Sequence, residues 1–233
     1  MELLMDFLHV PQVCRPIPYI IYGPPGTGKT VTIVEAILQV FLSCSRSRIL
    51  VATPSNSSAD LITERLHQSQ RVKTGDMVRL MAFNRSIDLV PEAAQPYCMT
   101  SNQLEQAVRH RIVVSTCANS GNIYALGLKR GHFTHVFIDE AGQATEPECL
   151  LTIGLLHRDS EPGQIILAGD PKQLGPVLVS IYAAEYGLGL SLLERLSLNP
   201  LYSRTESHEN SLNYNPKLLT KLVSFRKTVS EYC

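Results

Sequence analysis

The stretch GPPGTGKT, residues 23–30, decides the fold. It satisfies G-x-x-x-x-G-K-[ST] in full, and its context fits: an apolar run, PYIIYG (18–23), leads into it and a helical pattern, TVTIVEAILQVFL (30–42), leads out. A strand that turns through glycines into a helix N-terminus presents backbone N–H groups to an anion. Gly26 and Gly28 let the backbone curl, with Gly23, Pro24, Pro25 and Thr27 completing the loop around a triphosphate. Lys29 brings a positive charge to the β- and γ-phosphates, and the Thr30 hydroxyl can ligate Mg2+.

Working outward, four more short runs are rich in Ile and Val and apolar on both faces: RILVAT (48–53), RIVVST (111–116), HVFIDE (135–140) and QIILAGD (164–170). Such runs suit parallel strands covered on both sides. Helical spacing fills the gaps, in SNSSADLITERLH (55–67) and EPECLLTIGLLH (146–157). Strand and helix therefore alternate, which predicts one α/β domain of the P-loop NTPase (RecA-like) type, a doubly wound and mostly parallel sheet, over residues 18–198. Residues 69–110 break the rhythm and read as an insertion or rim excursion with one weak strand, MVRLM (77–81). Residues 1–17 read as a lead-in, and 199–233 as a polar loop followed by a truncated or divergent tail.

Two acidic strand ends face the same chemistry. In a P-loop fold the strand ending in DE lies beside the phosphate loop. Asp139 is then placed to hold Mg2+, and Glu140 to orient or deprotonate the attacking water. GDPKQLGPV (169–177) follows a further apolar strand, so Asp170 and Gln173 can reach the γ-phosphate from the side. A glutamine amide both donates and accepts, which suits it to position water. TPSNSSAD (53–60) places Pro54, Ser55 and Asn56 at a helix start, where hydroxyls and amides can contact a nucleic-acid backbone as well as cap the helix. Thr116, in STCANSG (115–121), offers a similar contact after another strand.

The bulk numbers set bounds. The chain has 233 residues, with 44% apolar and 18% charged, which describes a globular domain rather than a disordered one. Its net charge of +0 gives no global basic excess, so any nucleic-acid contact has to be local. The six cysteines form no C-x-x-C pair and read as reduced thiols in a cytoplasmic setting. HFTH (132–135) has two histidines but lacks the further ligands of a metal site. No apolar run approaches the length of a membrane span.

Four motifs now stand in one order: IIYGPPGTGKTVTIVEAILQV (20–40), ILVATPSNSSADL (49–61), HFTHVFIDEAGQATEPECL (132–150) and QIILAGDPKQLGPV (164–177), followed by YGLGLSLLERL (186–196). Together they resemble the first RecA-like domain of Upf-type superfamily 1 RNA helicases, of the Armitage/Mov-ten branch and in particular its germline Mov-ten-like group. The likeness runs from about residue 16 to residue 223. DEAG rather than DEAD, and GDPKQL rather than a Ser-Ala-Thr motif, set it apart from DEAD-box helicases. The resemblance implies ATP and Mg2+ as cofactors, 5′-to-3′ movement on single-stranded RNA, and a role in Piwi-interacting RNA silencing beside Piwi/Argonaute-type proteins. It also implies an adenine-recognition glutamine upstream of the loop, for which the lead-in offers only Gln12, and a second motor domain supplying arginine fingers, which this chain does not carry. The other reading is a module that binds nucleotide or RNA without turning it over.

Overall fold

The computed structural model describes residues 17–128, 131–156, 163–206 and 212–223. Its centre is an eight-stranded sheet. The strands in chain order are β1 (Tyr19–Tyr22), β2 (Ile49–Thr53), β3 (Met77–Met81), β4 (Cys98–Thr100), β5 (Ile112–Thr116), β6 (His135–Ile138), β7 (Gln164–Gly169) and, beyond a small antiparallel pair of β8 (Thr205–Glu206) and β9 (Leu212–Asn213), β10 (Leu219–Lys221). Across the sheet they lie in the order β10-β1-β7-β6-β2-β5-β3-β4, and every neighbouring pair is parallel. The helices are α1 (Lys29–Ser43), α2 (Asn56–Gln68), α3 (Leu104–Ala107), α4 (Ser120–Ala125), α5 (Glu146–Ile153), α6 (Ile181–Glu185) and α7 (Leu192–Ser197).

The period-two alternation of a strand divides the apolar side chains into two cores. Tyr19, Ile21, Ile49, Val51, Ile112, Val114 and Phe137 pack on one face with Ile33 and Ile37 of α1 and Ile62 and Leu66 of α2. Ile20, Leu50, Val113, Val136, Ile138 and Leu167 pack on the other with Ile123 of α4, Cys149 of α5 and Leu192 and Leu193 of α7. Both faces are therefore covered, and the expected doubly wound RecA-like P-loop NTPase fold is the fold found.

Two segments carry more of the sheet than their sequence suggests. Residues 69–110 do lie at its rim, but as two strands, and all five residues of β3 are buried. The segment looks irregular because it places a charge, Arg79, at 0% exposure in the middle of β3. A charge in a buried strand hides the apolar run that marks one. Arg79 Nε donates to Asp60 Oδ1 at 2.8 Å, and its Nη2 donates to Asn56 Oδ1 at 2.9 Å. Arg85 Nη2 donates to the other Asp60 oxygen at 2.5 Å. The polar tail is the second case. Leu219–Lys221 pairs with β1 as the far edge strand, so the sheet extends past residue 198. Gln12 and the last ten residues lie outside the described part.

Candidate nucleotide site and adjoining strand-end loops

All the predicted motifs emerge at the C-terminal edge of one sheet, and the strand order sorts them. The loops after β1, β7 and β6 are neighbours, and those after β2 and β5 come next. The first group encloses a cleft of about 430 Å³ lined by Pro25, Gly26, Gly28, Lys29, Thr30, Asp139, Glu140, Asp170 and Gln173. Gly23, Pro24 and Thr27 belong to the same loop but not to the lining. Gly26 and Gly28 adopt φ of 76° and 87°, a region that costs a side chain dearly. Gly28 is the residue from which α1 starts, so the loop feeds directly into the helix N-terminus. Thr27 Oγ1 donates to the Pro24 carbonyl at 2.8 Å and closes the turn. Lys29 Nζ donates to the carbonyls of Gly23 at 2.6 Å and Pro24 at 3.0 Å. An ammonium has three N–H groups, so one is left for a phosphate oxygen.

Asp139 ends β6 with only 2% of its surface exposed. Burial lifts its pKa to about 6; the Glu140 amide, Thr30 and Lys29 pull the other way, the Glu140 N–H donating to its Oδ1 at 2.9 Å. Glu140 sits at φ 54°, the left-handed region that a non-glycine residue seldom takes. That backbone turn separates the two carboxylates. One faces back onto Thr30, and the other is held by Ser58, whose Oγ donates to Glu140 Oε2 at 2.6 Å. Asp170 accepts from the Lys172 N–H at 2.9 Å and from Gln173 Nε2 at 3.1 Å, which joins the acid and the amide of that loop into one unit.

A magnesium ion fits the donor set. Thr30 and Asp139 offer a hydroxyl and a carboxylate, both hard oxygens, and the buried carboxylate is one whose charge a cation would relieve. Among the described residues no three His, Cys, Asp or Glu side chains cluster, so the remaining ligands would be phosphate and water oxygens. The histidines of HFTH make no such cluster either. His132 Nε2 lies 2.8 Å from the Val108 carbonyl, and burial lowers the His135 pKa to about 4. Of the cysteines, Cys117 and Cys149 are buried free thiols.

The raised pKa of Asp139 has a sign that can be tested. Between its ordinary value near 4 and about 6 the folded protein binds the extra proton, so nucleotide-free stability falls as pH rises through that window. The difference corresponds to about 2–3 kcal/mol at neutral pH. Asp139→Asn is expected to raise the metal-free unfolding midpoint at about pH 7.5 by roughly 4–8 °C. The gain should shrink as pH falls from 6 to 4, and Mg2+ dependence of nucleotide binding should disappear. Thermal unfolding of both proteins over that range checks it; a variant no more stable than wild type at neutral pH would refute the buried-charge account.

The loops after β2 and β5 come together because those strands pair, Thr53 opposite Thr116. This brings Pro54, Ser55 and Asn56 beside Thr116. Ser55 is the N-cap of α2, its side chain accepting from the Ser58 N–H. Asn56 is exposed, but its side-chain carbonyl is already bonded by Arg79, so only its amide end is free to donate. Thr116 Oγ1 accepts from the Asn119 N–H at 3.3 Å. Sequence reasoning passed over Ser58 and Arg65. Both lie on α2, and Arg65 lines the nucleotide cleft. Seven residues apart, they share one helix face, and that spacing was the available signal.

The fold and this cleft define a P-loop nucleotide-binding domain. A family profile described as AAA domain matches residues 13–111 and 102–181. The chain is 54% identical over 211 residues to the human RNA helicase Mov10l1, covering 90% of this chain and 17% of that protein. It is 41% identical over 231 residues to the probable RNA helicase armi of Drosophila melanogaster, covering 89% and 19%. A DEAD box protein from the hyperthermophile Methanococcus jannaschii, at 14% identity and TM-score 0.50 over 81% of this chain and 46% of that one, shares the fold. The chain belongs to the AAA domain family and is similar in sequence to Mov10l1 and armi. It spans less than a fifth of the length of these two relatives.

Proposed function

We propose that this domain is the first motor domain of an ATP-dependent RNA helicase, binding Mg-ATP in the cleft and single-stranded RNA on the loops after β2 and β5. The observation that carries this is the adjacency of the two sets of loops on one sheet edge, joined by the Ser58–Glu140 bond. Lys29 and the N–H groups at the start of α1 hold the phosphates. Thr30 and Asp139 hold the magnesium, which supplies charge neutralisation on the phosphate oxygens. Glu140 accepts the proton of the attacking water, and the Asp170–Gln173 unit stands where it can feel the γ-phosphate.

Beside Gln173 the chain exposes a strip of large apolar residues, Leu174, Val177, Val179, Ile181, Tyr182 and Tyr186, each at least 75% exposed. A strip of that kind marks a contact surface, and it supports a second body closing the cleft and bringing arginine fingers. Loss of such a finger can cost ~10³-fold in rate. The chain alone is thus assigned weak ATP binding and slow turnover. The 5′-to-3′ direction, the Piwi-interacting RNA pathway, Piwi/Argonaute-type partners and a cytoplasmic location are part of the same proposal, and rest on the likeness to Mov10l1 and armi. No helix among the described residues is long and apolar enough to cross a membrane.

ATP affinity and turnover, with and without single-stranded RNA, measured in one preparation are the test. Slow hydrolysis that RNA accelerates is the expected result. Binding with no turnover under either condition would instead make the chain a nucleotide- or RNA-binding module.

A further inference from the structure

The three serines at the start of α2 form a chain of hydroxyls that ends on the hydrolytic carboxylate. Ser55 Oγ donates to Ser58 Oγ at 2.9 Å, and Ser58 Oγ donates to Glu140 Oε2 at 2.6 Å. Ser57 Oγ lies 3.1 Å from Ser55 Oγ. A hydroxyl has a single proton, and a carboxylate has none to give. With the Ser58 proton committed to Glu140, the Ser55 proton has to point at Ser58. The direction of the whole chain is therefore set by its last acceptor.

We propose that Ser58 is a positioning residue that restrains Glu140 until an acceptor-only group engages Ser55; this rests on the helicase reading above. An RNA phosphate oxygen is such a group. When it accepts a hydrogen bond from the Ser55 hydroxyl, Ser55 Oγ becomes the acceptor on the Ser58 side. Rotation of two hydroxyls then reverses the chain, so that Ser58 donates to Ser55 and Ser55 to the phosphate. The 2.9 Å bond is set in the Ser55-to-Ser58 direction, so a small torsion of the Ser58 side chain accompanies the reversal. The backbone bond from the Ser58 N–H to Ser55 Oγ, at 3.2 Å, keeps the cap in place throughout. Glu140 loses its bond to Ser58, and both of its oxygens become available to water. Contact with RNA at one strand end is thereby transmitted to catalysis at the next.

The test compares wild type, Ser58→Ala and Ser58→Thr in ATP turnover with and without a single-stranded oligouridylate, with Glu140→Gln as the inactive control. The Ser58→Ala protein is expected to hydrolyse ATP without RNA about tenfold faster than wild type, the scale of one charge-assisted hydrogen bond. Its ratio of RNA-stimulated to unstimulated rate should fall towards 1, with KM for ATP and RNA affinity unchanged within about threefold. Ser58→Thr keeps a hydroxyl and should restore the wild-type ratio. An unchanged ratio in Ser58→Ala, or both rates falling together, would overturn the relay while leaving the helicase reading standing. A wild type that neither binds nor hydrolyses ATP would overturn both.

Discussion

Arg79→Ala is expected to destabilise the domain by about 3–5 kcal/mol, enough to unfold much of it at 37 °C. Arg79 is fully buried in β3, and its guanidinium is bonded to Asp60, to Asn56 and, through Nη1 at 2.7 Å, to the Leu80 carbonyl. Burial pulls its pKa down while Asp60 pulls it back up, so the ion pair offsets a real desolvation cost. Removing the cation leaves Asp60, itself 3% exposed, with Arg85 as its partner and one oxygen poorly satisfied. It also leaves a void the size of the largest fully buried side chain in the domain. Urea unfolding followed by circular dichroism measures the loss. Because Arg79 holds the first residue of α2, RNA affinity should fall as well in whatever fraction stays folded. A cost under about 1 kcal/mol would mean that the network is incidental.

The same network marks the limit of what the sequence discloses. Apolar strands covered on both faces are legible as apolar runs, and five of the eight in the main sheet announce themselves that way. β3 announces itself only weakly, as MVRLM, because Arg79 interrupts it, and a pattern of residue types carries no record of a partner nineteen positions away. β10 does not, because Leu219–Lys221 is short and lies on the edge, where pairing with β1 and not burial makes it a strand. In the cleft, the residues proposed to meet phosphate or magnesium are set by local spacing around a turn, so the sequence could bring Lys29, Thr30 and Asp139 to one lining. Ser58 could not be placed that way. Its role depends on β2 lying beside β6 in the sheet, an order set by long-range packing. Asn56 shows the converse: the motif suggests a free contact residue, and the fold has already taken half of its side chain.

On the proposed function, GPPGTGKT and the Asp139–Glu140 strand end form a working nucleotide cleft. Lys29 lines the cleft, and its two carbonyl contacts at Gly23 and Pro24 aim the ammonium without consuming its third N–H. A charge-assisted contact to phosphate of up to about 3 kcal/mol corresponds to ~100-fold in affinity. Those two bonds lie at or near the surface, so Lys29→Ala should leave the unfolding midpoint nearly unchanged. The direct measurement is equilibrium titration of a fluorescent ATP analogue with Mg2+ into wild type and Lys29→Ala, each checked by thermal unfolding. Saturable binding by the wild type, weakened at least ~100-fold in an equally folded variant, is the predicted result. Equal binding by the two proteins would contradict the assignment of the cleft.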